Sequence, residues 1–219
     1  MLKKLLQNLV YQLINPLVRL LISFGISPNT LTILGLLGNI ISLYFFIKAT
    51  ESLPGYHNLL LAGVFILVGG LFDILDGRVA RVSKNTSEAG ALFDSVIDRY
   101  AELFMFLGLG WYAIHALDYR LLLACFIALS GSLMVSYTRA RIEGLGGKSA
   151  GGLFQRPERI VLISVALLFL GMAGPNQWFG TSFNYIEKFL EIPIWIVAVG
   201  AMSTAIYRLA DGYKKLAVK

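Results

Sequence analysis

The chain has 219 residues, 57% of them hydrophobic and only 15% charged, with a mean hydropathy of +0.70. Soluble domains carry about 45–50% apolar and roughly 25% charged residues, so a soluble enzyme is excluded. At about 20 residues per membrane-crossing helix the length admits six spans and leaves no separate catalytic domain, so any chemistry sits within the bundle.

Residues 1–23 carry no small-residue cleavage site and are interrupted by Pro16, which argues against a signal peptide. Leu5, Leu6, Leu9, Leu13 and Leu17 form one stripe, with Lys3, Lys4, Gln7, Asn8 and Arg19 mostly away from it. That pattern predicts a juxtamembrane amphipathic helix lying in the headgroup plane, with a first crossing helix as the alternative. Six apolar runs follow, over residues 31–47, 59–72, 90–114, 121–138, 160–173 and 192–209. The predicted fold is all-α: a polytopic membrane protein in one domain, 1–219, whose six-helix transmembrane bundle occupies 31–212.

An even number of spans puts both termini on one side. Placing the termini, the loop around Lys84 and the segment 139–159 together leaves Lys48, Arg120 and Lys188 on the other face and Arg99 within a span. The remaining 15 of the 19 Lys and Arg residues then share one face, which is predicted to be cytoplasmic. The net charge of +6 is thus mainly a topology signal, with attraction to anionic lipid as a secondary consequence. No bases interleave with aromatics on a soluble surface, so nucleic acid is not an implied partner. The sequon Asn85-Thr86-Ser87 falls on the cytoplasmic side and reads as chance. A small-residue stripe, Ala124, Ala128, Ser132, Ser136 and Ala140, runs along the fourth span and permits close packing within the bundle.

The single Cys125 and the two histidines, His57 and His115, offer no disulfide, no zinc cluster and no histidine-based catalysis. The acids offer more. The second run has 14 residues before Asp73, about 21 Å of helix against a hydrocarbon core near 30 Å, so Asp73 and Asp76 lie below the headgroup plane. Asp94 and Asp98 follow in the third span with Glu102 behind them, each four residues on, and each pair shares a helix face. A hairpin bent at residues 83–87 brings the two faces together. Each intramembrane charge costs at least about 2.5–3.5 kcal/mol on insertion scales, so the cluster requires a cation. Carboxylate oxygens are the preferred ligands of hard divalent ions, which predicts a divalent metal site. Ion pairs such as Asp76–Arg81 are the bland alternative. Glu102 stays open between ligation, a supporting role and pairing with Arg99. Beside the acids, Gly77, Ala80 and Gly90 leave room for a ligand and Arg81 supplies a fork for phosphate.

The eight positions Asp73-x2-Asp76-Gly77-x2-Ala80-Arg81-x8-Gly90-x3-Asp94-x3-Asp98 resemble the complete signature of the CDP-alcohol phosphotransferase family. The segment Ser27-Pro28-Asn29-Thr30-Leu31-Thr32 is similar to the family's approach to its first span, although a plain helix start with a capping Thr30 or Asn29 reads equally well. The resemblance implies transfer of a phosphatidyl group from a CDP-linked lipid, CDP-diacylglycerol, to an alcohol, releasing CMP. It implies two Mg2+ or Mn2+ ions held by Asp73, Asp76, Asp94 and Asp98, with Asp98 also the general base. It further implies CDP binding by Pro28, Asn29, Gly77, Ala80, Arg81 and Gly90 together with Asp73, Asp76 and Asp94. A homodimer in a prokaryotic cytoplasmic membrane, its active site facing the cytoplasm, completes the expectation.

Ser136-Tyr137-Thr138-Arg139-Ala140-Arg141, Gln155-Arg156-Pro157-Glu158-Arg159 and Arg208 surround the predicted active-site face. Guanidinium groups suit bidentate phosphate recognition. These segments resemble the prokaryotic phosphatidylinositol-phosphate synthase branch, in which the residues matching Arg139, Arg141, Arg156, Arg159 and Arg208 form the pocket for the phosphate of inositol 1-phosphate. That branch often has Lys where Arg139 stands. Phosphatidylglycerophosphate synthase is the nearest alternative, since its acceptor is also a phosphorylated alcohol. A divalent-cation transporter is the rival from another class, but it predicts acids spread through the membrane depth rather than gathered near one face.

Overall fold

The computed structural model describes residues 14–152, 154–174 and 183–217, and these form helices joined by short turns, with no strand among the described residues. Helix α1 covers Ile14–Ser23. It is followed by α2 (Pro28–Thr50), α3 (Tyr56–Val82), α4 (Glu88–His115), α5 (Tyr119–Gly144), α6 (Arg156–Ala173) and α7 (Phe183–Ala217). Residues 1–13, which hold Leu5, Leu6, Leu9 and Leu13 of the predicted amphipathic stripe, lie outside the described residues.

The helix starts follow from local chemistry. Ser27 accepts a hydrogen bond from the Thr30 backbone N–H with Pro28 opening α2, Ser87 accepts from the Gly90 N–H at the head of α4, and Asp118 accepts from two N–H groups at the head of α5. Each side chain satisfies a donor that the first helical turn leaves open.

Among the described residues, four helices are long and apolar enough to cross a membrane: Pro28–Thr50, Tyr56–Val82, Tyr119–Gly144 and Lys188–Ala217. Helices α4 and α6 are set apart by their charges. Helix α4 carries Asp94, Asp98, Arg99 and Glu102, and α6 has 18 residues and opens on Arg156, Glu158 and Arg159. One apolar core nevertheless draws on all six of these helices, including Phe46, Ile66, Leu109, Leu121, Ile163 and Ile194. The outer surface is equally apolar, with Leu37, Phe126, Val165, Val199 and Ile206 exposed. Apolar residues on both sides of a helix are what a lipid-embedded bundle requires.

Small residues set the helix spacings. A side chain at Gly69 of α3 would sit 2.7 Å from the Asn39 amide nitrogen and 2.9 Å from the Gly35 carbonyl of α2. A side chain at Gly131 of α5 would sit 2.8 Å from the Met202 nitrogen of α7. Ala124, Ala128 and Ser132 are fully buried, so that part of the small-residue stripe packs inside the bundle as expected, whereas Ala140 is exposed. Helix α1 docks beside the start of α2 and the end of α3: Val18 is buried against Leu31, Leu75 and Val79, and Arg78 donates to the Asn15 side-chain oxygen at 3.0 Å.

The connection between α5 and α6 is partly exposed but touches α7 along its length. Gly147 lies against Leu216, Gly152 against Thr204 and Phe154 against Gly200, so the segment runs as a strap antiparallel to α7. It leads into the charged first turn of α6, where Arg156 is half-buried and Arg159 fully buried. Arg159, at the far end of the basic segment 139–159, is only 1% exposed and so faces the bundle interior.

Candidate active site

The last turns of α3 and the first turns of α4 carry the four aspartates, joined by the turn at residues 83–87 in which Lys84 takes a positive φ of 57°. Asp73, Asp76 and Asp94 each offer a carboxylate oxygen, and the three oxygens lie within 4.8 Å of one another. Asp76 is buried and accepts a hydrogen bond from the Thr32 hydroxyl at 2.7 Å. Asp94 Oδ1 is buried with no hydrogen-bond partner. A convergent set of hard oxygens with one left unsatisfied fits a divalent cation of the magnesium or manganese type.

Asp98 stands apart from this triad. Its carboxylate, with that of Asp73, is bridged by one amine of Arg156, at 2.7 and 2.6 Å respectively. Arg99 adds a longer contact to Asp98 at 3.5 Å. Arg156, expected on an acceptor phosphate, therefore serves here as the counter-ion of two acids. One turn further along α4, Glu102 pairs with Arg159 rather than with Arg99: the Arg159 Nε donates at 2.9 Å, and its terminal amine sits 2.7 Å from the same oxygen.

Two cavities meet over these acids. The smaller, about 290 Å³, is lined by Pro28, Asn29, Gly77, Ala80, Arg81 and Gly90, all six of the expected nucleotide residues outside the acid cluster. A side chain at Gly77 would meet only the flexible end of Arg81, at 3.6 Å, so Gly77 opens the cavity and does not serve helix packing. Thr32 and the turn residues Asn85, Thr86 and Ser87 also line it, so the sequon segment belongs to the site wall. The larger cavity, about 630 Å³, is lined by Asp73, Asp98, Arg139, Arg156, Arg159 and Arg208 among others. Both cavities share Asp76, Gly77, Arg81, Ala91 and Asp94.

The arginines differ in what they have to offer. Arg139 is exposed at the rim and paired with Glu143 at 3.0 Å. Arg208 is buried, donates one amine to the Val135 carbonyl at 2.7 Å, and keeps its Nε buried without a partner. Arg141 is exposed and does not line the cavity, because it lies two residues along α5 from Arg139 and so on another face. Sequence reasoning missed Thr32 as the partner of Asp76. Its signal is the i, i+4 spacing from Pro28, which places both on the same face of α2.

Residues 25–206 match the family model described as CDP-alcohol phosphatidyltransferase. The chain is 35% identical to a phosphatidylinositol phosphate synthase of Streptomyces avermitilis, over 95% of this chain and 81% of that one. It is 33% identical to an archaetidylinositol phosphate synthase of Pyrococcus horikoshii, over 90% and 88% of the two chains. Its fold matches the crystal structure of Mycobacterium tuberculosis phosphatidylinositol phosphate synthase with CDP-DAG bound at a TM-score of 0.72 and 28% identity, covering 90% of this chain and 92% of that one. A second structure of that protein, in complex with manganese and citrate, gives a TM-score of 0.73 at the same identity, over 90% and 88% of the two chains. The signature acids and the match over most of the chain agree: this protein belongs to the CDP-alcohol phosphatidyltransferase family.

Proposed function

We propose that the protein transfers a phosphatidyl group from CDP-diacylglycerol to inositol 1-phosphate, giving phosphatidylinositol phosphate and CMP. The observation that carries this reading is the meeting of two chemically different cavities over one acid cluster. One is walled by small residues and Arg81, the other by arginines. The names and bound ligands of the relatives support the same donor and acceptor.

In this reading Pro28, Asn29, Gly77, Ala80 and Gly90 seat the cytidine, and Arg81 holds a phosphate of the donor. Asp73, Asp76 and Asp94, with Asp98, hold two magnesium or manganese ions, which supply Lewis-acid polarisation of the diphosphate. Asp98 accepts the proton of the acceptor hydroxyl. The hydroxyl oxygen forms a bond to the lipid-bearing phosphorus, and the bond from that phosphorus to the CMP oxygen breaks, its electron pair leaving with CMP. Arg139, Arg156 and Arg208 grip the acceptor phosphate. Arg141 lies off the cavity wall and is not assigned to that grip, whereas Arg159 lines the cavity while engaged by Glu102. Chain 1–219 acts as a single domain with α4 and α6 completing six spans, and as a homodimer in a prokaryotic cytoplasmic membrane with the site facing the cytoplasm.

Purified protein with magnesium or manganese is expected to release CMP from CDP-diacylglycerol only when an acceptor is present, and to prefer inositol 1-phosphate over glycerol 3-phosphate and inositol in competition. Preference for glycerol 3-phosphate overturns the acceptor. Metal transport without CMP release overturns the enzyme.

Thr32→Val tests the role of Asp76. The change keeps the shape of the side chain and removes the hydroxyl that orients the carboxylate. Losing such a supporting hydrogen bond lowers metal affinity about 10–100-fold. Manganese binding followed by electron paramagnetic resonance reads this directly, and an unchanged affinity detaches Thr32 from the site.

A further inference from the structure

We infer that Glu102 is a positioning residue for acceptor binding: it latches Arg159, and through Arg159 it sets the strap that delivers Arg156 to the acceptor cavity. This rests on the proposed function for the identity of the acceptor, and on geometry alone for the latch.

All three nitrogens of the Arg159 guanidinium are committed. Nε and one terminal amine bind Glu102, and the other terminal amine donates to the Phe154 carbonyl at 2.8 Å. The Glu102 and Arg159 side chains are each 1% exposed. Three of its five N–H donors go to these contacts, so the protein itself holds this guanidinium in place. What it joins is more informative: Glu102 belongs to α4, whereas Phe154 is the end of the strap lying on Gly200 of α7. Arg159 thus ties the strap, α4 and the first turn of α6 at one point.

That point controls register. On α4 the acids Asp98 and Glu102 are four residues apart, and on α6 the bases Arg156 and Arg159 are three apart, so each pair shares a face. Asp98 meets Arg156 and Glu102 meets Arg159, as two rungs of one ladder. A slip of one rung would move Arg156 by about 6 Å along α4, the rise of four helical residues, and take it out of the cavity. The Arg156 rung must open when a phosphate claims that guanidinium. The Glu102 rung is buried, and Glu102 itself lines neither cavity, so this rung is the one free to hold the register throughout turnover. Glu102 lies outside the eight signature positions.

The test is Glu102→Gln in the full-length protein in detergent, read by acceptor and donor kinetics and by hydrogen exchange of peptides covering residues 145–155. This variant leaves Arg159 in place and removes its counter-charge. A latch predicts a fall in kcat/KM for inositol 1-phosphate of roughly 10²-fold, the scale of a 1 Å misplacement, while the donor KM stays within about twofold. It also predicts faster exchange in the strap by roughly tenfold. Direct phosphate binding by Arg159 predicts the opposite, since a released guanidinium sustains or improves acceptor use, and that result overturns the proposal.

If Glu102→Gln does not fold, Glu102→Leu combined with Arg159→Met removes both buried charges together, a replacement that bundles tolerate. Strap exchange decides that case: acceleration supports the latch and unchanged exchange overturns it. Should the wild-type protein release no CMP with any acceptor, the proposed function fails, and strap exchange still judges the latch by itself.

Discussion

Replacing Asp98 by Asn is expected to lower turnover by about 10²–10⁴-fold, the contribution of a positioned general base. The substitution preserves the shape and one hydrogen-bonding oxygen, so the salt link from Arg156 weakens without creating a void. The triad of Asp73, Asp76 and Asp94, which converges within 4.8 Å, is untouched by it. Manganese binding is therefore expected to fall far less than turnover. Single-turnover release of CMP with saturating acceptor isolates the chemical step, and metal binding measured on the same sample separates the base from the ligand contribution. Turnover within about tenfold of wild type would mean that the proton leaves by another route. Asp73 is the group to test next, because Arg156 places its carboxylate on the same guanidinium amine.

The second large effect is expected at Arg208. It is buried, its one recorded bond goes to a backbone carbonyl, and its Nε is enclosed without a partner. A buried donor left open in this way is costly unless a substrate completes it. Truncating one partner of a buried charge-assisted pair costs about 2–5 kcal/mol, so Arg208→Ala should lower kcat/KM for inositol 1-phosphate roughly 30- to 4,000-fold. Donor KM should be little changed, since Arg208 does not line the smaller cavity. The variant should also narrow the discrimination between inositol 1-phosphate and free inositol, which no loss of stability would do. Arg208→Lys keeps the charge without the planar fork and should fall between the two. Equal losses with both acceptors would remove Arg208 from phosphate recognition.

The acid cluster is legible in the sequence because its members are local. Asp73 with Asp76 and Asp94 with Asp98 share helix faces by spacing alone, and a five-residue turn brings the faces together. The cavity that Gly77 and Gly90 open is legible for the same reason. Arg156 and Arg159 are a different case. Their partners are Asp98 and Glu102, the latter 57 residues away in sequence, and no periodicity marks a contact of that separation. Arg99, three residues before Glu102, looks like the natural partner in one dimension. In three dimensions it reaches back to Asp98 instead. The six-run reading of the membrane topology meets the same obstacle. Apolar length identifies four helices, whereas α4 and α6 are interrupted by the charges that pair across the interior.

The strap along α7 touches it at both ends through side chains, the Leu216 Cδ2 beside Gly147 and the Phe154 ring beside Gly200. Leu216 and Gly200 are 16 positions apart on α7, about 24 Å of helix, and Gly147 and Phe154 are seven apart in the chain, a length that spans at most about 23–25 Å. Surface connections ordinarily absorb insertions and deletions at small cost. Here the glycines from Gly144 to Gly152 suggest such tolerance, but the segment ends with Phe154 against Gly200 and leads straight into Arg156. A change in its length is therefore expected to shift Arg156 relative to Asp73 and Asp98, and so to be a change in acceptor chemistry as well as a change in a loop.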